Sequence, residues 1–387
     1  MTTRSKGAQK WFDRGLIWTY AFNHEEAAKC FEKAISCDES CSMAYWGLAY
    51  CLGPNYNKPW EAFDEEDVAT IVSGTHHAVA QAKATSASAS PVEISIINAL
   101  QFRYQKETPS ADFAIWNEQY AAAMSCVYND FPDDLDVTVL YADAMMNLTP
   151  WQLWDLNAGI PAKGAHTLKI KQVLEKALAT QEGIVHPGLL HLYIHLMEMS
   201  ALPEAALTVA HQLRDLVPDS GHLNHMPTHI DVLCGDYQQA ISSNSMAIRA
   251  DQKFLAREGP LNFYTLYRCH DYHFKIYAAM FSGQSKIALK TSEQLAASIP
   301  QALLRVKSPP MVRKSPLCPR YTRPEKASSD FETCDASTFK LPRHVLRLLM
   351  KMRGAMQPHF GLQMRFRLSR SPCSILIYFL SLHKKKR

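Results

Sequence analysis

The sequence predicts an all-α protein: an array of antiparallel helix pairs followed by a basic, disordered tail. Three observations predict this. First, 47% of the 387 residues are apolar and only 15 are glycine, a composition that favours packed helices. Second, small and aromatic residues recur at helical spacing in paired segments. Third, charge divides the chain: residues 305–387 hold 19 Lys/Arg against four Asp/Glu, leaving 22 of the 41 basic and 33 of the 37 acidic residues elsewhere. A tail so rich in Pro, Ser, Lys and Arg cannot bury enough apolar surface to offset chain entropy.

The first pair sets the pattern. Trp11, Gly15 and Trp18 stand at i, i+4 and i+7; after a break at Asn23-His24, Ala27, Phe31 and Ala34 do the same. Small residues facing aromatic ones let two helices approach closely. This resembles the tetratricopeptide repeat (TPR), a helix–turn–helix unit of ~34 residues. Trp11, Gly15, Ala27, Phe31 and Ala34 match its landmark places, Trp18 stands where Tyr is usual, and Asp38-Glu39 stand where a Pro often ends the unit. A second unit starts at Ser42 with Trp46, Gly47 and Tyr50. It breaks off at GPNYNKPW, the turn-rich loop 53–60.

Residues 61–180 read as degenerate repeats. A long helix is expected over 65–84, capped by Asp64. The low-complexity TSASASP, 85–91, reads as a linker, and helices follow over 94–105, 113–131 and 133–148. Thr149-Pro150 stops the last of these, because proline offers no amide donor. WQLWD, 151–155, reads as an aromatic plug over a hydrophobic gap. Regular repeats resume over 187–300, marked by Ala206 and Pro218, then Gly235, Tyr237, Ala240 and Ala247, then Gly283, Ala288 and Pro300, with an insertion at 251–260. The repeat domain is thus 8–300, and the tail 311–387. In the tail, 341–356 could form an isolated basic amphipathic helix; 374–382 is apolar but far short of the ~20 residues of a membrane span.

The resemblance extends beyond the repeat. From about Trp11 to Met311 the chain resembles a family of TPR proteins widespread in bacteria and fungi and largely without assigned activity. WTYAFNHEEA, AYWGLAYCLGPNYNKPW, HPGLLHLYIH, GHLNHMPTHIDVLCGDY and IPQALLRVKSPPM carry it. The resemblance implies a TPR-like α-solenoid, with further helices after SPPM; the chain departs from that pattern after Met311.

Function is legible only through histidines. Counting back 15 residues from the marker alanines Ala206, Ala240 and Ala288 gives His191, His225 and His273. Counting back 11 gives His195, His229 and Tyr277, and counting back 18 gives Gly188, His222 and His270. These offsets share one helix face, the face that lines the concave groove of a TPR array. Glu198, a further i+3 from His195, extends the stripe. Pro227 is expected to kink its helix and could swing His222 and His225 away from His229.

Two functions compete. The leading reading is a soluble groove-binding scaffold whose imidazoles meet a peptide, protein or small-molecule ligand. The alternative is a metal-dependent enzyme, oxidoreductase or hydrolase, at the same face. The HxxxH pairs His191/His195 and His225/His229 could hold zinc, iron or copper, with Glu198 as a carboxylate ligand. Asp143 reads either as a groove residue or as a solvated helix acid, and His76-His77 as surface. There is no P-loop, GxGxxG, HExxH or GxSxG. Ten scattered cysteines without a CxxC pair, and a polar start with no signal-peptide core, predict a cytoplasmic chain of free thiols. The basic tail reads as a nonfunctional end rather than a nucleic-acid arm or membrane anchor.

Overall fold

Several helices start at a side-chain cap, among them those at Ser5, Asn23, Ser90 and Asp134. The computed structural model describes residues 1–63, 65–110, 112–299, 364–368 and 375–379. They form an all-α fold in two units, Met1–Gly283 and Gln284–Arg387. In the first unit, α1 (Lys6–Tyr20) starts at Ser5, whose hydroxyl accepts from the Ala8 amide. Asn23 caps α2 (His24–Cys37) in the same way, through the Glu26 amide. α2 packs between α1 and α3 (Ser42–Leu52), with Phe31 fully buried. A Cβ at Gly15 or Gly47 would lie 2.7 or 2.5 Å from the Phe31 ring. The glycines exist to admit that ring.

α4 (Glu65–Ala84) matches its expected span and packs on α3. α5 (Pro91–Leu100) starts inside the expected linker, because Ser90 and Glu93 form a reciprocal capping box with Pro91 at the first helical position. Ser90→Ala is expected to cost about 1 kcal/mol, read as a lower urea midpoint at constant slope. α6 (Phe113–Asp130), α7 (Leu135–Met146) and α8 (Thr167–Leu178) follow. The WQLWD loop is pinned from both sides. Its Trp151 indole donates to Asn57 Oδ1 at 3.2 Å and its Trp154 indole to the Leu196 carbonyl at 2.6 Å. Leu153 between them is fully buried, and β1 (Trp154–Asp155) pairs with β2 (Ile160–Pro161).

α9 (Pro187–Met197), α10 (Leu207–Leu213), α11 (Gly221–His225), α12 (Pro227–Cys234), α13 (Tyr237–Glu258) and α14 (Thr265–Phe281) complete the first unit. The expected insertion at 251–260 is largely helix. α13 continues through it and stops at Gly259, whose φ of 73° suits glycine. No Gly or Pro precedes that point to break the helix. The last turns of α13 reach the N-terminal pair. Arg257 pairs with Glu26 at 2.6 Å, Lys29 pairs with Glu258, and the Trp18 and Phe254 rings lie 6.3 Å apart. α9 also packs on α1 and α7. The inner face expected to be an open groove is therefore closed by its own chain.

The second unit contains α15 (Ser285–Ser298) and an antiparallel pair, β3 (Met364–Leu368) with β4 (Ile375–Phe379), Met364 opposite Phe379. The hairpin falls in the segment read as disordered. Its MRFRL and ILIYF runs are rich in aromatic and branched side chains, which favour strands. The other tail readings, including the helix at 341–356, lie outside the described residues. Among the described residues no helix is long and apolar enough to cross a membrane.

Candidate metal centre

α9, α11, α12 and α14 each turn a histidine-bearing face inward, and the rings meet as two triads. One ring nitrogen from each of His191, His195 and His222 lies within 4.8 Å of the others. The same holds for His225, His229 and His270. The triads adjoin: ring centroids are 6.1 Å apart for His222 and His225, and 6.2 Å for His195 and His229. All six residues are buried, none more than 7% exposed. Pro227 does divide the helix, at Met226. Because Met226 keeps helical dihedrals (φ −51°, ψ −39°), the i, i+4 relation survives and His225 Nε2 lies 2.8 Å from His229 Nε2.

Most of the remaining ring nitrogens are held from outside. His191 Nδ1 meets the Tyr20 carbonyl, at the end of α1. His195 Nδ1 meets Glu198 Oε1 at 2.7 Å, and His229 Nδ1 meets Glu198 Oε2. His225 Nδ1 lies 2.7 Å from Asn244 Oδ1, while the Asn244 amide nitrogen donates to the Ala240 carbonyl at 2.9 Å. A carbonyl, a carboxylate or an amide oxygen on Nδ1 fixes the N–H there and turns a lone pair inward at Nε2. That is how supporting groups orient metal-binding imidazoles. Glu198 thus sits behind two histidines, one from each triad.

Each triad also carries one phenylalanine. Phe22 lies 4.5, 5.7 and 6.0 Å from His191, His195 and His222. Phe274 lies 4.9, 4.8 and 4.8 Å from His225, His229 and His270. Phe22 has φ 53°, a conformation that costs a bulky L-residue energy and places its ring over the first triad. Tyr56 and Tyr267 add rings at 5.2 Å from His195 and 4.5 Å from His222.

Burial sets the charge state. It holds His191, His222 and His225 well below the ordinary imidazole range, and neighbouring imidazoles push the same way, so all three are neutral near pH 7. Burial works to raise Glu198, but the imidazoles of His229 and His195 outweigh it and keep the carboxyl well below the usual range. Behind the second triad, Asp271 Oδ1 lies 3.3 Å from His225 Nδ1. Burial raises both Asp271 and Asp251, and the proximity of two carboxyls raises Asp271 further.

The register is only partly followed. His270 joins the cluster, whereas His273, three residues on, lies outside both triads, half-buried, with burial lowering it to about 4. Tyr277 packs on Phe281 at 4.5 Å, outside the triads. Asp143 is neither in the cluster nor solvated. It is 3% exposed, accepts from the Tyr50 hydroxyl at 2.6 Å, and burial raises it against the pull of Arg103. It lines a small cavity with Tyr20, Phe22 and His24. Sequence spacing gave no sign of Tyr20, Phe22, Asn244 or Phe274. Tyr20, Phe22 and Asn244 lie off the stripe and reach the site through tertiary packing, whereas Phe274 stands at i+4 from His270 in α14 and meets His225 and His229 through the packing of that helix.

No protein-family model matches the chain, and no curated protein matches it. A solved structure described as the crystal structure of the APC/C hetero-tetramer Cut9-Hcn1 is similar over 76% of this chain and 54% of that one, at 15% identity and a TM-score of 0.30. The match thus spans about half the length of that chain.

Proposed function

We propose that this protein binds a late first-row divalent metal ion, zinc or copper, through His191, His195 and His222. One observation carries the proposal. Nε2 of His191, Nε2 of His195 and both ring nitrogens of His222 are buried with no hydrogen-bond partner. Each such atom costs about 1–3 kcal/mol, so several gathered in one place need a common partner. Imidazole nitrogens suit zinc, copper, iron and nickel, and the Nδ1 partners of His191 and His195 leave an Nε2 lone pair on each for such an ion.

Burial supports the ion over a peptide in the groove, because a peptide needs exposed rings and these have almost no exposure. Protein binding, the other use of a TPR-like array, would then fall to other surfaces. Three histidines leave a coordination position for water or substrate, the arrangement of catalytic rather than structural zinc. A cavity of about 250 Å³ is lined by Phe22, whose ring also packs on the first triad, and by His24, Asn55, Lys58 and Phe63, which offers room for a small molecule near the triad.

The test is metal content. Protein stripped with chelator, reloaded separately with zinc and with copper, and desalted is expected to retain at least one ion per chain by elemental analysis. Retention of neither ion would refute the proposal.

A further inference from the structure

We propose that His225, His229 and His270 form a second metal site, so that the protein holds two ions whose supporting shells share the Glu198 carboxylate. The inference rests on the reading of the first triad as a metal site and extends it to a dinuclear centre.

The argument is one of donors and acceptors. Asn244 cannot be turned round, because its amide nitrogen is committed to the Ala240 carbonyl. Its oxygen therefore accepts from His225, which fixes the proton on Nδ1 and leaves a lone pair on Nε2. His229 is set in the same way by Glu198, whose oxygen accepts from Nδ1. The two Nε2 atoms then face each other at 2.8 Å, lone pair to lone pair. Two acceptors at that distance repel unless a cation lies between or beside them. That cation is either a shared proton or a metal ion. The third imidazole decides in favour of the metal: a proton uses two nitrogens, whereas His270 offers another within 4.8 Å of the pair. Phe274 over this triad mirrors Phe22 over the other.

Glu198 ties the sites together. Its Oε1 orients His195 of the first triad and its Oε2 orients His229 of the second. Loss of such a supporting group typically costs 10–100-fold in metal affinity. Here one substitution is expected to weaken both sites.

Stoichiometry and magnetic coupling test the proposal. Full-length protein titrated with Cu(II) is expected to take up two ions per chain. At saturation its electron paramagnetic resonance signal should be broadened by a neighbouring copper, and this measurement needs no variant. His225→Ala and His270→Ala should each bind one ion with an isolated-copper signal, and His222→Ala should keep the other. Glu198→Gln should weaken both sites about 10–100-fold. One ion per chain in the wild type, lost on His222→Ala but kept on His270→Ala, would refute the second site and leave the first standing. In that case a shared proton joins His225 and His229. No ion at all would refute both sites, and a Glu198→Gln effect confined to one site would refute the coupling.

Discussion

His222→Ala is expected to abolish the metal-dependent rise in melting temperature assigned to the first triad. For the wild type, a ligand at a hundredfold excess over its Kd adds about 2.7 kcal/mol, or roughly 5–10 °C for a domain of this size. His222 is the most informative ligand to remove, because neither of its ring nitrogens has a hydrogen-bond partner. In the metal-free protein the same substitution has two opposing effects. It loses the packing of a side chain 2% exposed, and it removes buried polar atoms that cost about 1–3 kcal/mol each when unpartnered. The metal-free melting temperature should therefore move little, while the part of the response to added zinc or copper that belongs to the first triad is lost. Scanning calorimetry of both proteins, with and without metal, gives the comparison. A metal-free His222→Ala protein that melts far below the wild type, or one that keeps the full metal-dependent rise of the wild type, would show that His222 is a packing residue.

Phe31→Ala is expected to cost about 3–5 kcal/mol, the usual range for deleting a buried aromatic ring. Phe31 is fully buried at the junction of α1, α2 and α3. The near-contacts at Gly15 and Gly47 make the site specific. Gly47→Ala alone should cost about 1–3 kcal/mol by overpacking, since its methyl would lie 2.5 Å from the ring. In the Phe31→Ala background the same methyl enters space the ring has left, so its cost should largely vanish. Urea unfolding of the two single variants and the double variant measures the interaction. Additive losses would mean that the ring does not set the requirement for glycine at 47.

The sequence by itself determined the local rules of this protein. Trp11, Gly15, Ala27 and Phe31 announced the close helix pair, because ring and notch are complementary wherever two such helices meet. Pro91, Gly259 and Thr149-Pro150 show how far this reaches. The stop at 150 was legible because proline lacks a donor. The start at Pro91 was obscured by a low-complexity run whose last serine is an N-cap. The histidine stripe was legible because i, i+3 and i+7 positions share a face regardless of tertiary context.

Tertiary structure decided how that stripe is used. Periodicity places His270 and His273 on neighbouring positions of one helix and cannot say which meets α12. The rotation of α14 in its packing chooses His270. Nor can periodicity show that the face is enclosed, because enclosure depends on α13 running on to Glu258 and meeting α1 and α2 across more than 200 residues of chain. The same closure carries Phe22 over the first triad and buries the imidazoles. A face expected to line an open groove thereby becomes a buried cluster of imidazoles.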